Sequence, residues 1–151
     1  NLAMKKGNVR GTYNLGLIYH NRNSSLEDRI IAFKCFETAA LQNCYRSQNF
    51  LAYYYYNGIG VPTSYSIAYF WITISRTTVE NDISNNNGKH YKKTRKEIRQ
   101  NFRIMEEKMK STIGPEKIID IQRTIKNEFF DYKKMKFKLK PDNVKAEIRY
   151  L

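Results

Sequence analysis

The sequence predicts an all-α fold, a stack of helix hairpins with a helical cap. Three observations carry this. The first half of the chain matches itself at a constant offset of 36 residues. Within each unit, apolar and small residues recur at helical spacing. With three prolines and seven glycines in 151 residues, turn residues are too few for a many-stranded β domain.

The offset places Ala3 on Ala39, Gly7 on Asn43, Arg10 on Arg46 and Leu15 on Leu51, then Gly16 on Ala52, Tyr19 on Tyr55 and Ala32 on Ala68, with no slip between them. In the first unit Thr12, Leu15, Gly16 and Tyr19 share one helix face, and Ile31, Cys35, Phe36 and Ala39 share the next. The second unit repeats these faces with Ser47, Leu51, Ala52 and Tyr55, then Ile67, Ala68, Trp71 and Ile72. Small residues beside a Leu and a Tyr let two helices approach closely. Stacked hairpins bury what one alone would expose. In the run Tyr53 to Tyr56, Tyr55 takes the core place of Tyr19, Tyr54 flanks it, and Tyr53 and Tyr56 face outward. Gly58 and Gly60 then end a helix and turn the chain. No strand precedes them and no Lys-Ser/Thr follows, which excludes a phosphate loop.

The runs Ala3-Met-Lys-Lys-Gly7, Tyr13-Asn-Leu-Gly-Leu-Ile-Tyr19 and Ala32-Phe-Lys-Cys-Phe-Glu-Thr-Ala-Ala40 resemble the Sel-one-like repeat family, relatives of the tetratricopeptide repeats. So do Gln48-Asn-Phe-Leu-Ala52, Tyr55-Tyr-Asn-Gly-Ile-Gly-Val61 and Ala68-Tyr-Phe-Trp71. The resemblance covers residues 1–79 and implies a right-handed α/α superhelix. Two departures stand out. Arg22 and Ser24 occupy the places of Gly58 and Gly60, which alters the first turn, and the family's aspartate is kept as Asp28 but becomes Ser64. Some secreted members staple each hairpin with cysteines eight residues apart. Cys35 and Cys44 are nine apart and in another register, so that staple does not carry over. The residues themselves read as two small buried thiols, with a single disulfide in an exported protein as the alternative.

Residues 80–88 read as a polar loop in place of a third repeat, with the run NDISNNNGK at 81–89. A long helix follows over about 88–112, with Tyr91, Ile98, Phe102, Met105 and Met109 as its apolar seam. Gly114-Pro115-Glu116 stops it and starts another, with Pro at the first helical position. Ile118, Ile121, Ile125, Phe129 and Tyr132 mark the buried side of that helix. The pair, residues 89–133, resembles the capping helices that end many proteins of this family. In the tail, 134–151, Met135, Phe137 and Leu139 alternate with lysines. Val144, Ala146, Ile148 and Tyr150 alternate again after Pro141-Asp142-Asn143. This reads as a small β-hairpin, with a continued helix or an extended basic arm as alternatives.

The formal charge of +13 is uneven: residues 1–88 hold eight Lys/Arg against five Asp/Glu, and residues 89–151 hold nineteen against nine. No run of 18 apolar residues is present, so no membrane-spanning segment is expected, and no signal peptide is legible. The expected protein is soluble, either cytoplasmic or exported. Its Asn/Lys/Ile/Tyr-rich usage fits the AT-rich coding of many bacteria and some large viruses.

No catalytic constellation stands out. His20 and His90 lie far apart without flanking metal ligands, and Glu27-Asp28 and Glu106-Glu107 are adjacent pairs whose side chains diverge on a helix. No metal or cofactor is expected. The resemblance implies a scaffold or adaptor whose first helices line a concave surface. The side of those helices away from the Leu/Tyr core carries Arg10, Tyr13, Leu17 and His20, and then Arg46, Asn49, Tyr53 and Tyr56. Paired arginines beside tyrosines suit a protein or peptide with acidic and apolar side chains. A solvated helix face is the plainer reading of the same residues. The competing function is binding of nucleic acid or anionic lipid through Lys92, Lys93, Arg95, Lys96 and Arg99. Hydrolase activity credited to a few members of the family finds no supporting residues in this chain.

Overall fold

The computed structural model describes residues 8–85 and 92–128. They form six helices: α1 (Val9–Arg22), α2 (Leu26–Ala40), α3 (Tyr45–Asn57), α4 (Tyr65–Asn85), α5 (Lys92–Thr112) and α6 (Pro115–Glu128). No strand occurs among the described residues. The expected β-hairpin at 134–151 lies outside them, as do Tyr91, Phe129 and Tyr132. Each helix packs on the next through α5, and α6 lies on both α4 and α5. The order is that of three successive hairpins, α1–α2, α3–α4 and α5–α6. The repeats and the cap thus share one all-α stack.

Local chemistry sets the helix ends. The Asn8 side chain accepts from the Gly11 N–H at 2.9 Å and opens α1. Ser25 opens α2: its hydroxyl accepts from the Asp28 N–H at 3.1 Å, while the Asp28 carboxylate accepts from the Ser24 hydroxyl and N–H. The Ser24 hydroxyl, helped by the Ser24 N–H and by Arg22 at 3.7 Å, holds the Asp28 carboxyl below its ordinary range despite burial. The turn within the first hairpin spans only residues 23–25, whereas that within the second spans 58–64. Replacing the two glycines by Arg22 and Ser24 therefore shortens the turn and extends the helices.

Two glycines are sterically required. A Cβ on Gly16 would stand 2.8 Å from the Phe36 ring, so its absence sets how closely α1 approaches α2. Gly60 combines a φ of +68° with a backbone that would put a Cβ 2.8 Å from the Arg29 carbonyl. The second turn rests there directly on α2.

The core runs through all three hairpins: Phe36, Leu51, Tyr54, Tyr69, Ile72 and Met109 are all fully buried. The seams expected on α5 and α6 are buried where described: Ile98, Phe102, Met105 and Met109, and Ile118, Ile121 and Ile125. Two features differ from expectation. The helix α4 runs on to Asn85, through the first part of the segment read as a loop, since extending an existing helix needs no new nucleus. Tyr54, expected beside the core, is fully buried within it, while Tyr55 is half-buried against Phe33 with ring centres 5.5 Å apart. The first unit has no tyrosine aligned with Tyr54, so the internal repeat gave no signal for it.

Candidate functional site

The helices α1, α3 and α5 are the first members of the three hairpins. Two open cavities of about 540 Å³ each flank the N-terminal half of α3. One lies between the starts of α1 and α3, with Arg10, Tyr13, Asn14, Cys44, Tyr45 and Arg46 in its wall. The other lies between α3 and α5, lined by Asn49, Lys93, Lys96, Glu97, Gln100 and Asn101. Thus α3 contributes Arg46 to one cavity and Asn49, three positions on, to the other.

In the first cavity Arg10 and Arg46 are exposed, and the Arg46 guanidinium lies 5.7 Å from the centre of the Tyr45 ring. Tyr13 is half-buried, 6.1 Å from Phe36 and 6.2 Å from Phe50 between ring centres. Burial raises its pKa, and the nearby Arg46 charge opposes that rise.

His20 packs into an aromatic cluster between the repeats. Its Nδ1 stands 2.8 Å from the Tyr54 hydroxyl, and its ring meets Phe50 edge-on at 5.1 Å. Burial holds the imidazole pKa below its ordinary 6.5 and raises that of Tyr54. The hydroxyl therefore keeps its proton beside a neutral ring, and the two groups share this hydrogen bond. Phe36 stacks on Phe50 at 4.4 Å and 3°, completing a cluster that ties the first hairpin to the second. Leu17 also packs against the core. Tyr56 turns to Tyr65 at the start of α4, 5.3 Å away, rather than outward. Tyr53 is the exposed tyrosine of the run, at 46%.

The expected cationic set divides. Glu80 on α4 accepts from Arg95 through both carboxylate oxygens at 2.9 Å and from Arg99 at 3.3 Å. Those two arginines fasten α5 to α4. Lys93 and Lys96 are exposed and line the α3–α5 cavity, and the Lys92 side chain lies outside the described residues. Sequence reasoning missed Glu97, Gln100 and Asn101 as cavity residues, and also the Glu80 clasp. Its partners stand 15 and 19 positions away, and no local pattern links them.

Both cysteines are free thiols, Cys35 buried and Cys44 partly so. Burial raises the Cys35 pKa, which makes it unreactive as a nucleophile. Among the described residues no group of three or more His, Cys, Asp or Glu could hold a metal ion, and no helix is long and apolar enough to cross a membrane.

Helix hairpins stacked in register and ended by an amphipathic pair define an α/α solenoid, a class whose extended faces serve binding. The family model of the Sel1 repeat matches residues 9–44 and 46–75, which contain α1–α2 and then α3 with the first half of α4. Residues 9–44 and 46–75 of the chain are two Sel1-like repeats. Such repeats are generally protein-interaction scaffolds and typically non-catalytic. No curated protein and no solved structure matches the chain.

Proposed function

We propose that this chain is a non-catalytic adaptor that holds a protein partner on the concave face formed by α1, α3 and α5. The observation that carries this is the first cavity: Arg10, Tyr13 and Arg46, drawn from two repeats, line one open volume of about 540 Å³. Two exposed guanidiniums beside aromatic surface suit a carboxylate-bearing partner. Among the described residues, the titratable groups whose pKa is shifted, Tyr13, His20, Asp28, Cys35 and Tyr54, take part in packing or capping, which supports binding over catalysis. The nucleic-acid or lipid reading is weaker, because Arg95 and Arg99 are already clasped by Glu80.

Charge reversal tests the reading. Arg10→Glu with Arg46→Glu should abolish capture of partners cross-linked to the wild-type chain and leave the melting temperature unchanged, since both side chains are exposed. An unchanged set of captured partners would refute it.

A further inference from the structure

We infer that the α3–α5 cleft is a socket for the free carboxy-terminal end of a peptide chain, with the terminal carboxylate at Lys93 and Lys96 and the last amide groups at Asn49, Gln100 and Asn101. The inference rests on the reading of this protein as an adaptor and names the part of the partner that enters the cleft.

The six side chains that line the cleft are all polar, and they come from one position of α3 and one stretch of α5. Lys93, Lys96, Glu97 and Gln100 are exposed, and Asn49 and Asn101 are half-buried. Among the described residues, none of the six side chains is engaged in a hydrogen bond or an ion pair. By contrast, Arg95 and Arg99 of the same helix are held by Glu80. The Oδ1 of Asn49 is itself buried, and no donor reaches it. A buried acceptor costs stability until a donor meets it. A turn of the amide about its last torsion offers that oxygen to an N–H in the cleft.

The residue types select the ligand. Three carboxamides, each with one acceptor group and two donors, complement a peptide unit, which offers one donor and one acceptor. A phosphate offers acceptors alone. A nucleotide or lipid headgroup bound through it would leave the Asn49 oxygen unmet and would face the Glu97 carboxylate. Lys93 and Lys96 are three positions apart on one helix, where Cβ atoms are about 5–6 Å apart, so both ammonium groups reach a single carboxylate. Glu97 beside them repels a second one. The cleft therefore suits one carboxylate and a few amides, not an acidic run.

The order of these groups selects the terminus. Along α5 the cations come first, and the carboxamides of Gln100 and Asn101 follow one turn later on the same wall. Lys93 to Asn101 covers about 12 Å of helix axis at about 1.5 Å per residue. That is the length of three or four extended residues at about 3.3 Å each. At a chain end the carboxylate lies in line with its own backbone, so one wall of α5 meets both. The carboxylate of an aspartate or glutamate stands on a branch to one side, and its backbone then lies off that wall.

Fluorescence anisotropy on the full chain tests this with amino-terminally labelled octapeptide pools, whose last three positions vary among uncharged residues. One pool ends in a free carboxylate, a second in an amide, and a third in an amide with one internal aspartate to restore the charge. A short oligothymidylate serves as the phosphate probe. The free-acid pool should bind at least about tenfold tighter than the amide pool. Lys93→Ala with Lys96→Ala should bring that preference down to about twofold or less, and Asn49→Ala should weaken the free-acid pool several-fold. Circular dichroism should show unchanged helix content in each variant. Equal binding of the acid and amide pools, or binding of the internal-aspartate pool as tight as that of the acid pool, would overturn the inference. So would tighter binding of the oligothymidylate, a preference that survives the lysine substitutions, or no binding by any peptide pool. If no pool binds while Arg10/Arg46 reversal still abolishes partner capture, the inference falls and the adaptor reading stands.

Discussion

The two junctions between hairpins are built from equivalent positions but close differently. Where α1 meets α3, Tyr13 and His20 reach across to Phe50 and Tyr54, and the junction fills with rings. Thirty-six positions on, their equivalents are Asn49 and Tyr56. Asn49 looks onto a polar α5 carrying Lys93, Lys96 and Gln100, and the junction stays open. Tyr56 packs on its own hairpin instead. The same repeat positions thus bring rings together at the first junction and line a polar cleft at the second, depending on whether the facing helix offers rings or charges. Each junction keeps an open cavity, but the first is tied by rings, while α5 is held from the other side. Its apolar seam lies in the common core, Glu80 clasps Arg95 and Arg99, and the Arg76 guanidinium sits 4.0 Å from the centre of the Phe102 ring.

The largest test of this contrast compares side chains from the two junctions. Phe36→Ala removes a fully buried ring stacked on Phe50 and should cost about 3–5 kcal/mol in urea unfolding. Lys93→Ala with Lys96→Ala should change stability by no more than about 0.5 kcal/mol. Similar losses from both would break the distinction between the ring-packed and the polar junction.

A middle-sized effect should come from the Tyr54–His20 bond. Tyr54→Phe deletes the hydroxyl of this bond and should cost about 1 kcal/mol. The pH dependence has a definite sign. Because burial lowers the His20 pKa in the folded state, the unfolded chain binds the proton more readily, and stability declines as pH falls below about 6.5. His20→Gln should flatten the stability profile between that pH and about 5, where the carboxylates begin to contribute. An unchanged slope in that variant would remove His20 as its source.

The smallest effect belongs to the clasp. Glu80→Gln loosens a half-exposed charge network and should cost under about 1 kcal/mol, the difference shrinking as salt is raised. A loss of several kcal/mol would mean that α5 depends on this network rather than on its apolar seam.

Much of the architecture was legible because it is written in short periods. The offset of 36 aligned Leu15 with Leu51 and Gly16 with Ala52, and the seam from Ile98 to Met109 could be read off one helix. The proposed face was legible only in part. Arg10, Tyr13, Arg46 and Asn49 line cavities, while His20 and Leu17 pack toward the core and Tyr56 packs on Tyr65. Counting lysines and arginines could not separate Lys93 and Lys96, which face a cleft, from Arg95 and Arg99, which serve Glu80.

The sequence by itself determined that this chain folds as repeating helix hairpins with an amphipathic pair at their end. Period and offset are properties of one strand of letters, and burial of the periodic face follows from water's aversion to it. The tertiary structure alone decided which of four consecutive tyrosines is buried, which histidine nitrogen meets a hydroxyl, and which cations stay exposed along the clefts. Those outcomes depend on what another helix presents across a gap of a few ångströms, and on charge pairs whose members lie many residues apart.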